Sequence, residues 1–355
     1  MTRPRTPSWG RFFLVGRRLW SKDIVCPTRR GMWRLATSAM WPARCSVPSS
    51  RKPWGQGRCT VKGSSKRKGG KMAMVLGLVG SARVWGNSEI VVREALLGAQ
   101  EEGAKAEMLR LTDLSIEPCN GCLRCAIREE PCPLDDDMEW FLAQVGGADA
   151  LILAAPTYLF GPAAITKLLL DRLLMLTPRF GEEQTRAGAA IAVSGRRDWR
   201  GVTQPFLNGL VMGLGFRLVD SLYVHRPGPG EVLLDDEVMA RIHELGRRVA
   251  RGKKGEPPEG NICPRCYGDF FVLEEGKAIC PLCGLEADIE VDGQVRLSFD
   301  LGVEPLPWSY AWQKEHVEEW IRPTLPRFLA HRGEIKARLE RYREMGEVWV
   351  RPSEE

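Results

Sequence analysis

The sequence predicts an α/β protein: a doubly wound parallel sheet of five strands, then a small β module and a helical tail. Three observations carry this. Short apolar runs alternate with helical stretches between residues 74 and 251. The first apolar run opens into a loop rich in glycine and hydroxyl groups that leads directly into a helix. Two cysteine quartets, at 119–132 and 263–283, mark off separate pieces of chemistry.

Residues 74–79 (Met-Val-Leu-Gly-Leu-Val) are continuously apolar, as a strand covered on both faces must be. They feed Gly80-Ser81-Ala82-Arg83 and Gly86-Asn87-Ser88, and a helix is expected over 89–102. A strand, such a loop and a helix N-terminus make an anion site, because free backbone N–H groups and the positive end of the helix dipole face the loop. Ser81, Asn87 and Ser88 can add hydrogen bonds and Arg83 a charge; a phosphate group is the expected guest. The competing reading is that Asn87 or Ser88 only caps the helix.

Further strands are expected at 106–111, 150–155, 187–193 and 216–224, with helices at 135–145, 163–176, 204–214 and 235–251. Asp135, Asp136 and Asp137 suit the N-terminal dipole of the second helix. The third strand runs into Pro156-Thr157-Tyr158-Leu159-Phe160-Gly161-Pro162, and the fourth ends in Ser194-Gly195. In an open parallel sheet, ligands bind beyond the carboxyl ends of the strands, and these loops all fall at that edge.

So does the run Cys119-Asn-Gly-Cys122-Leu-Arg-Cys125, completed by Cys132-Pro133. Two consecutive Cys-x-x-Cys steps make a tight turn whose sulfurs converge, and a fourth thiol completes a ligand set; this is iron–sulfur spacing. Buried or redox-active free thiols are one alternative and zinc another, although structural zinc sites usually divide their ligands into two separated pairs. Such a divided set follows: Cys263-Pro-Arg-Cys266 and Cys280-Pro-Leu-Cys283-Gly284, on expected strands at 270–274, 277–279, 286–291 and 294–299. Strands this short have too little core to fold without a metal, so the spacing reads as a zinc ribbon; rubredoxin-like iron is the alternative.

Residues 252–260 read as a linker from their Gly, Pro and Lys content, and 301–355 as a charged helical tail interrupted at Pro323 and Pro326. Apolar tail residues, Trp312, Trp320, Phe328 and Leu329 among them, are expected to dock on the domain or on a partner subunit. Residues 1–71 hold 18 of the 51 Lys and Arg and a single acid, Asp23, which reads as a basic, disordered leader. A transit-type peptide, a nucleic-acid-binding tail and sequence upstream of the true start compete for it; Met72 and Met74, just before the first strand, favour the last.

Without the leader, 33 basic residues face 44 acidic ones, a net of −11, which argues against nucleic acid as a partner. No apolar run is long enough to span a bilayer, and clustered cysteines without a secretion signal suit a reducing compartment, so a cytoplasmic protein is expected.

Residues 74–225 resemble the flavodoxin-like NAD(P)H-dependent FMN reductase superfamily, and Cys119, Cys122, Cys125 and Cys132 make them similar to its iron–sulfur flavoprotein branch. The resemblance rests on Gly80-Ser81 with Arg83, Gly86-Asn87-Ser88, the cysteine run, Ala155-Pro156-Thr157-Tyr158 with Gly161, and Lys167 through Asp171-Arg172. It implies a flavodoxin-like FMN-binding domain over 72–251, with the zinc ribbon at 261–300 a separate module. It further implies that Ser81, Arg83, Asn87 and Ser88 hold the FMN phosphate. Pro156, Thr157, Tyr158 and Gly161 would line the isoalloxazine ring, with Ser194 and Gly195 as a third wall. The fourth-strand loop is poorer in glycine than the family's, so that wall matches least.

The four thiols at 119–132 would carry a 4Fe-4S cluster, with NAD(P)H or ferredoxin as electron donor and a homodimer or tetramer as the assembly. The cofactors perform the redox chemistry, so no catalytic side chain is expected. A different class of function stays open: a zinc-ribbon interaction or regulatory protein that uses the flavodoxin-like domain as a scaffold.

Overall fold

The computed structural model describes residues 72–179, 185–255, 260–299 and 310–343. The expected leader, residues 256–259 of the linker and both ends of the tail lie outside the described residues. The chain order is β1 (Met74–Val79), α1 (Asn87–Glu101), β2 (Lys105–Arg110), α2 (Arg124–Ile127), α3 (Met138–Gly147), β3 (Ala150–Tyr158), β4 (Gly161–Pro162), α4 (Ala164–Asp171), β5 (Ala187–Ser194), α5 (Thr203–Gly213), β6 (Arg217–His225) and α6 (Asp236–Arg251). Then follow β7 (Val272–Glu274), β8 (Lys277–Ile279), β9 (Glu286–Val291), β10 (Val295–Phe299), α7 (Tyr310–Glu315) and α8 (Thr324–Arg343).

The five expected strands form the parallel sheet, in the order β2-β1-β3-β5-β6. The unexpected β4 pairs antiparallel with the end of β3 through Thr157 and Tyr158. Alternate residues of β1 enter two cores: Val75 and Val79 pack with α1 and α6, and Leu76 and Leu78 with α3, α4 and α5. That two-sided burial is why the strands read as unbroken apolar runs.

Two helix boundaries depart from expectation for local reasons, and a third agrees. α3 starts at Met138 rather than near Asp135, because Asp136 and Asp137 turn back to accept the amides of Glu117 (2.8 Å) and Ser115 (2.7 Å). α4 stops at Asp171, and Leu173–Arg179 continues as 3-10 turns. α6 is capped as its sequence suggests: the Asp235 carboxylate accepts the Val238 amide at 3.0 Å, and Gly252 closes the helix in the left-handed conformation.

The ribbon is a four-stranded antiparallel sheet, β10-β9-β8-β7. Its thiols and Tyr267 lie in the same core as α3, α4 and α5. Asn208 of α5 donates to the Cys266 carbonyl at 2.8 Å, and the Tyr267 hydroxyl to the Val219 carbonyl at 3.1 Å. In the tail, Val317 and Ile321 sit in a π-helical turn at His316–Ile321 and pack on Ala126 of α2, with Leu123 and Ile127 beside them. Phe328 and Leu329, expected to dock, are exposed. Among the described residues no helix is long and apolar enough to cross a membrane.

Candidate functional site

The loop after β1 is held from beneath by a buried carboxylate. Glu89, in the first turn of α1, accepts Arg93 (2.8 Å), Arg110 (2.7 Å) and the Trp85 amide (2.9 Å). Burial pushes its carboxyl up, but these hydrogen bonds outweigh burial and hold it below the usual carboxylate range. Its charge is thereby compensated, and the mouth of the loop stays hospitable to an anion. Arg110 also donates to the Ser81 carbonyl at 3.2 Å, while the Ser81 hydroxyl accepts the Arg83 amide at 3.2 Å. Glu89 and Arg110 were not singled out in the sequence; the i, i+4 spacing of Glu89 and Arg93 was the available signal.

Arg83 is exposed at the loop's tip, and Asn87 and Ser88 are buried at the helix start. Gly86, not Asn87 or Ser88, occupies the N-cap position, and no side chain caps the helix. The Asn87 side chain serves another segment. Its amide donates to the carbonyls of Arg226 (3.0 Å) and Gly228 (2.9 Å), and its oxygen accepts the Val232 amide at 3.3 Å. It ties the loop after β6 to the start of α1. What Asn87 and Ser88 can offer an anion is their backbone N–H groups, which have no protein partner among the described residues.

At the carboxyl end of β3, Pro156 and Thr157 are half-buried while Tyr158 and, just beyond the strand, Leu159 and Phe160 are exposed. Leu159 and Phe160 have positive φ, so this loop is held in a strained shape and not extended along the sheet. The ring of Phe160 lies 4.8 Å from that of Trp199, and the Val202 amide donates to the Phe160 carbonyl at 2.8 Å; the loops after β3 and β5 thus form one wall. Tyr223 braces that wall, its hydroxyl reaching Thr157 Oγ1 (3.2 Å) and the Arg200 carbonyl (2.9 Å). Ser194 turns inward, its hydroxyl donating to the Arg196 carbonyl (2.7 Å) and meeting His225 Nδ1 (2.8 Å). A Cβ on Gly161 would meet nothing nearer than the Tyr158 carbonyl at 3.9 Å, and one on Gly195 nothing nearer than Pro227 at 3.6 Å. Open space at both glycines, unpartnered amides at α1 and exposed aromatic side chains at the rim fit a phosphate-bearing flat ring such as FMN.

Arg197, Arg200, His225 and Arg226 line a cavity of about 340 Å³ beside this wall. Burial, with the positive charges of Arg197, Arg200 and Arg226, pushes His225 down toward the neutral form.

Cys119, Cys122, Cys125 and Cys132 line a single small pocket with Leu174 and Met175. Burial first, and then the neighbouring Cys132, Cys122 and Cys119, push the Cys125 thiol up. The four ribbon thiols are gathered more closely. Their sulfurs lie within 4.8 Å of one another, with Cys263 to Cys283 and Cys266 to Cys280 both at 3.4 Å, and all are buried. A tetrahedral zinc site with Zn–S bonds of about 2.3 Å places its sulfurs about 3.8 Å apart, so this quartet fits one ion. Among the described residues it is the group brought together in this way, whereas the 119–132 thiols ring a pocket.

The sequence profile of NADPH-dependent FMN reductases matches residues 73–227. An iron–sulfur flavoprotein of Methanocaldococcus jannaschii is 34% identical over 192 residues, which cover 50% of this chain and 95% of that protein. A flavone synthase of Aspergillus candidus is 28% identical over 264 residues, 63% of this chain and 81% of that one. A solved flavone reductase superposes with a TM-score of 0.62 at 24% identity, covering 79% of this chain and all of that one, and shares the fold. The doubly wound sheet, the reductase profile over residues 73–227 and the iron–sulfur flavoprotein relative make this chain a flavodoxin-like flavin oxidoreductase. Within that class, this chain belongs to the iron–sulfur flavoprotein family.

Proposed function

We propose that the protein accepts electrons from NAD(P)H or a reduced ferredoxin and passes them to a small organic acceptor, working as a homo-oligomer. In this reading FMN lies on the carboxyl edge of the sheet, a 4Fe-4S cluster on Cys119, Cys122, Cys125 and Cys132, and zinc on Cys263, Cys266, Cys280 and Cys283. FMN supplies hydride and single-electron chemistry when bound, and the cluster single-electron chemistry. The observation that carries the reading is the convergence of four thiols on one pocket, in a chain whose first-strand loop leaves helix-start amides unpartnered.

The protein's own part is to bind, orient and exclude water. The amides of Asn87 and Ser88, with Ser81 and Arg83, hold the phosphate. Pro156, Thr157, Tyr158 and Gly161 face the ring, and the loop from Ser194 and Gly195 to Trp199 closes the far side. The likeness to a protein named flavone synthase extends beyond the 155-residue stretch matched by the reductase profile, so a planar conjugated carbonyl compound is the acceptor class to test first. Anaerobic stopped-flow mixing of the FMN-loaded protein with NADPH, NADH or reduced ferredoxin tests the donor. Bleaching of the flavin band with at least one of them is expected. Bleaching by dithionite alone would overturn the proposal.

A further inference from the structure

Arg172 is the largest fully buried side chain among the described residues, and it lies against the first cysteine quartet. Its Nη1 donates to the Glu117 carbonyl (2.9 Å) and to Asp136 Oδ2 (2.5 Å). Its Nη2 donates to Cys132 Sγ (3.3 Å) and to Asp136 Oδ1 (3.3 Å). Asp136 is equally buried and also accepts the amides of Glu117 (2.8 Å) and Met138 (3.1 Å). One buried ion pair thus grips the chain two residues before Cys119 and again at Cys132, both ends of the run that carries the thiols.

A buried ion pair is a poor device for stability alone, since apolar residues of similar volume often serve as well or better. This pair does something an apolar pair cannot: it points a cationic N–H donor at one of the four ligand sulfurs. Hydrogen bonds and positive charge at a cluster's sulfurs favour the more negative, reduced state, and they orient the ligands. The geometry points to Arg172 as a positioning residue for the cluster. With Asp136 it fixes the span of the cysteine run, and through its N–H···S bond to Cys132 it raises the cluster's reduction potential. This rests on the iron–sulfur assignment proposed above.

The test compares anaerobically reconstituted wild type with Arg172→Lys and with the double variant Arg172→Met/Asp136→Asn, which removes both charges and leaves no unpaired buried carboxylate. The readouts are iron and FMN content and the cluster's midpoint potential from an EPR-monitored redox titration. The expected result is full FMN content in both variants, with iron occupancy reduced and the cluster that does assemble titrating at a more negative potential than in wild type. Arg172→Lys, which keeps the charge, should shift the potential less and serves if the double variant does not fold. Wild-type occupancy together with a wild-type midpoint in both variants would overturn the role of Arg172. A wild-type chain that takes up FMN but no iron would overturn it by removing the cluster itself, an outcome distinct from the first because it is read without any variant.

Discussion

Asn87 shows how much a single side chain can carry that its sequence position conceals. Its place at a helix start suggests a cap or a phosphate ligand, yet its three hydrogen bonds reach residues 139 to 145 positions away. No local pattern encodes a partner at that distance, whereas Cys-x-x-Cys spacing is local and was readable at once. Replacing Asn87 by Ala should cost about 1–3 kcal/mol, since it leaves a buried amide without an acceptor. Because the tie shapes the phosphate loop, FMN affinity should also fall by roughly tenfold, equivalent to about 1.4 kcal/mol. Chemical denaturation and a flavin-fluorescence titration read the two effects separately. His243 offers a pH test at the same scale. Glu101 and then Glu94, at 3.0 and 2.7 Å from its ring nitrogens, push it above its ordinary value of 6.5. A raised pKa stabilises the fold fully below pH 6.5, and the contribution is lost as pH rises through the folded-state value. Stability profiles of wild type and His243→Asn should therefore differ at pH 6 and converge at high pH.

Among the elements, α1 and α6 make the most demanding contact. A Cβ on Gly246 would stand 1.7 Å from the Ala95 carbonyl oxygen, and one on Gly98 2.1 Å from the His243 carbonyl oxygen. The two helices approach backbone to backbone, and only glycine permits it. Gly246→Ala should separate them and cost about 1–3 kcal/mol or more, measured by urea denaturation. Long elements were readable because burial on two faces or one writes itself into apolar periodicity, as in β3 and α6. Short ones were not: β4 has two residues and α2 four, too few for any period to show. The start of α3 lies later than its sequence suggests because Asp136 and Asp137, which look like helix-dipole residues, turn their carboxylates to the segment before Cys119.

At the scale of the whole molecule, the ribbon expected as a separate module contributes Cys263, Cys266, Cys280 and Cys283 to the core of the parallel-sheet domain. A metal held by these four thiols should therefore support more than the ribbon. Cys280→Ser, or stripping the metal with a strong chelator, should lower the melting temperature of the chain in one cooperative transition. Two separate transitions, with the upper one unmoved, would show instead that the ribbon melts alone. The charge balance and the two quartets were readable from sequence, but the packing of Tyr267 under β6 and of Val317 on α2 joins segments that no local signal links. The proposed protein binds FMN, carries an iron–sulfur cluster on its first quartet and holds zinc on its second. The visible spectrum of anaerobically purified protein, with FMN, iron and zinc quantified on the same sample, tests it most directly. Flavin bands over a broad iron–sulfur shoulder are expected, with about one FMN, four irons and one zinc per chain. A colourless protein holding zinc alone would rule out both the flavin and the cluster.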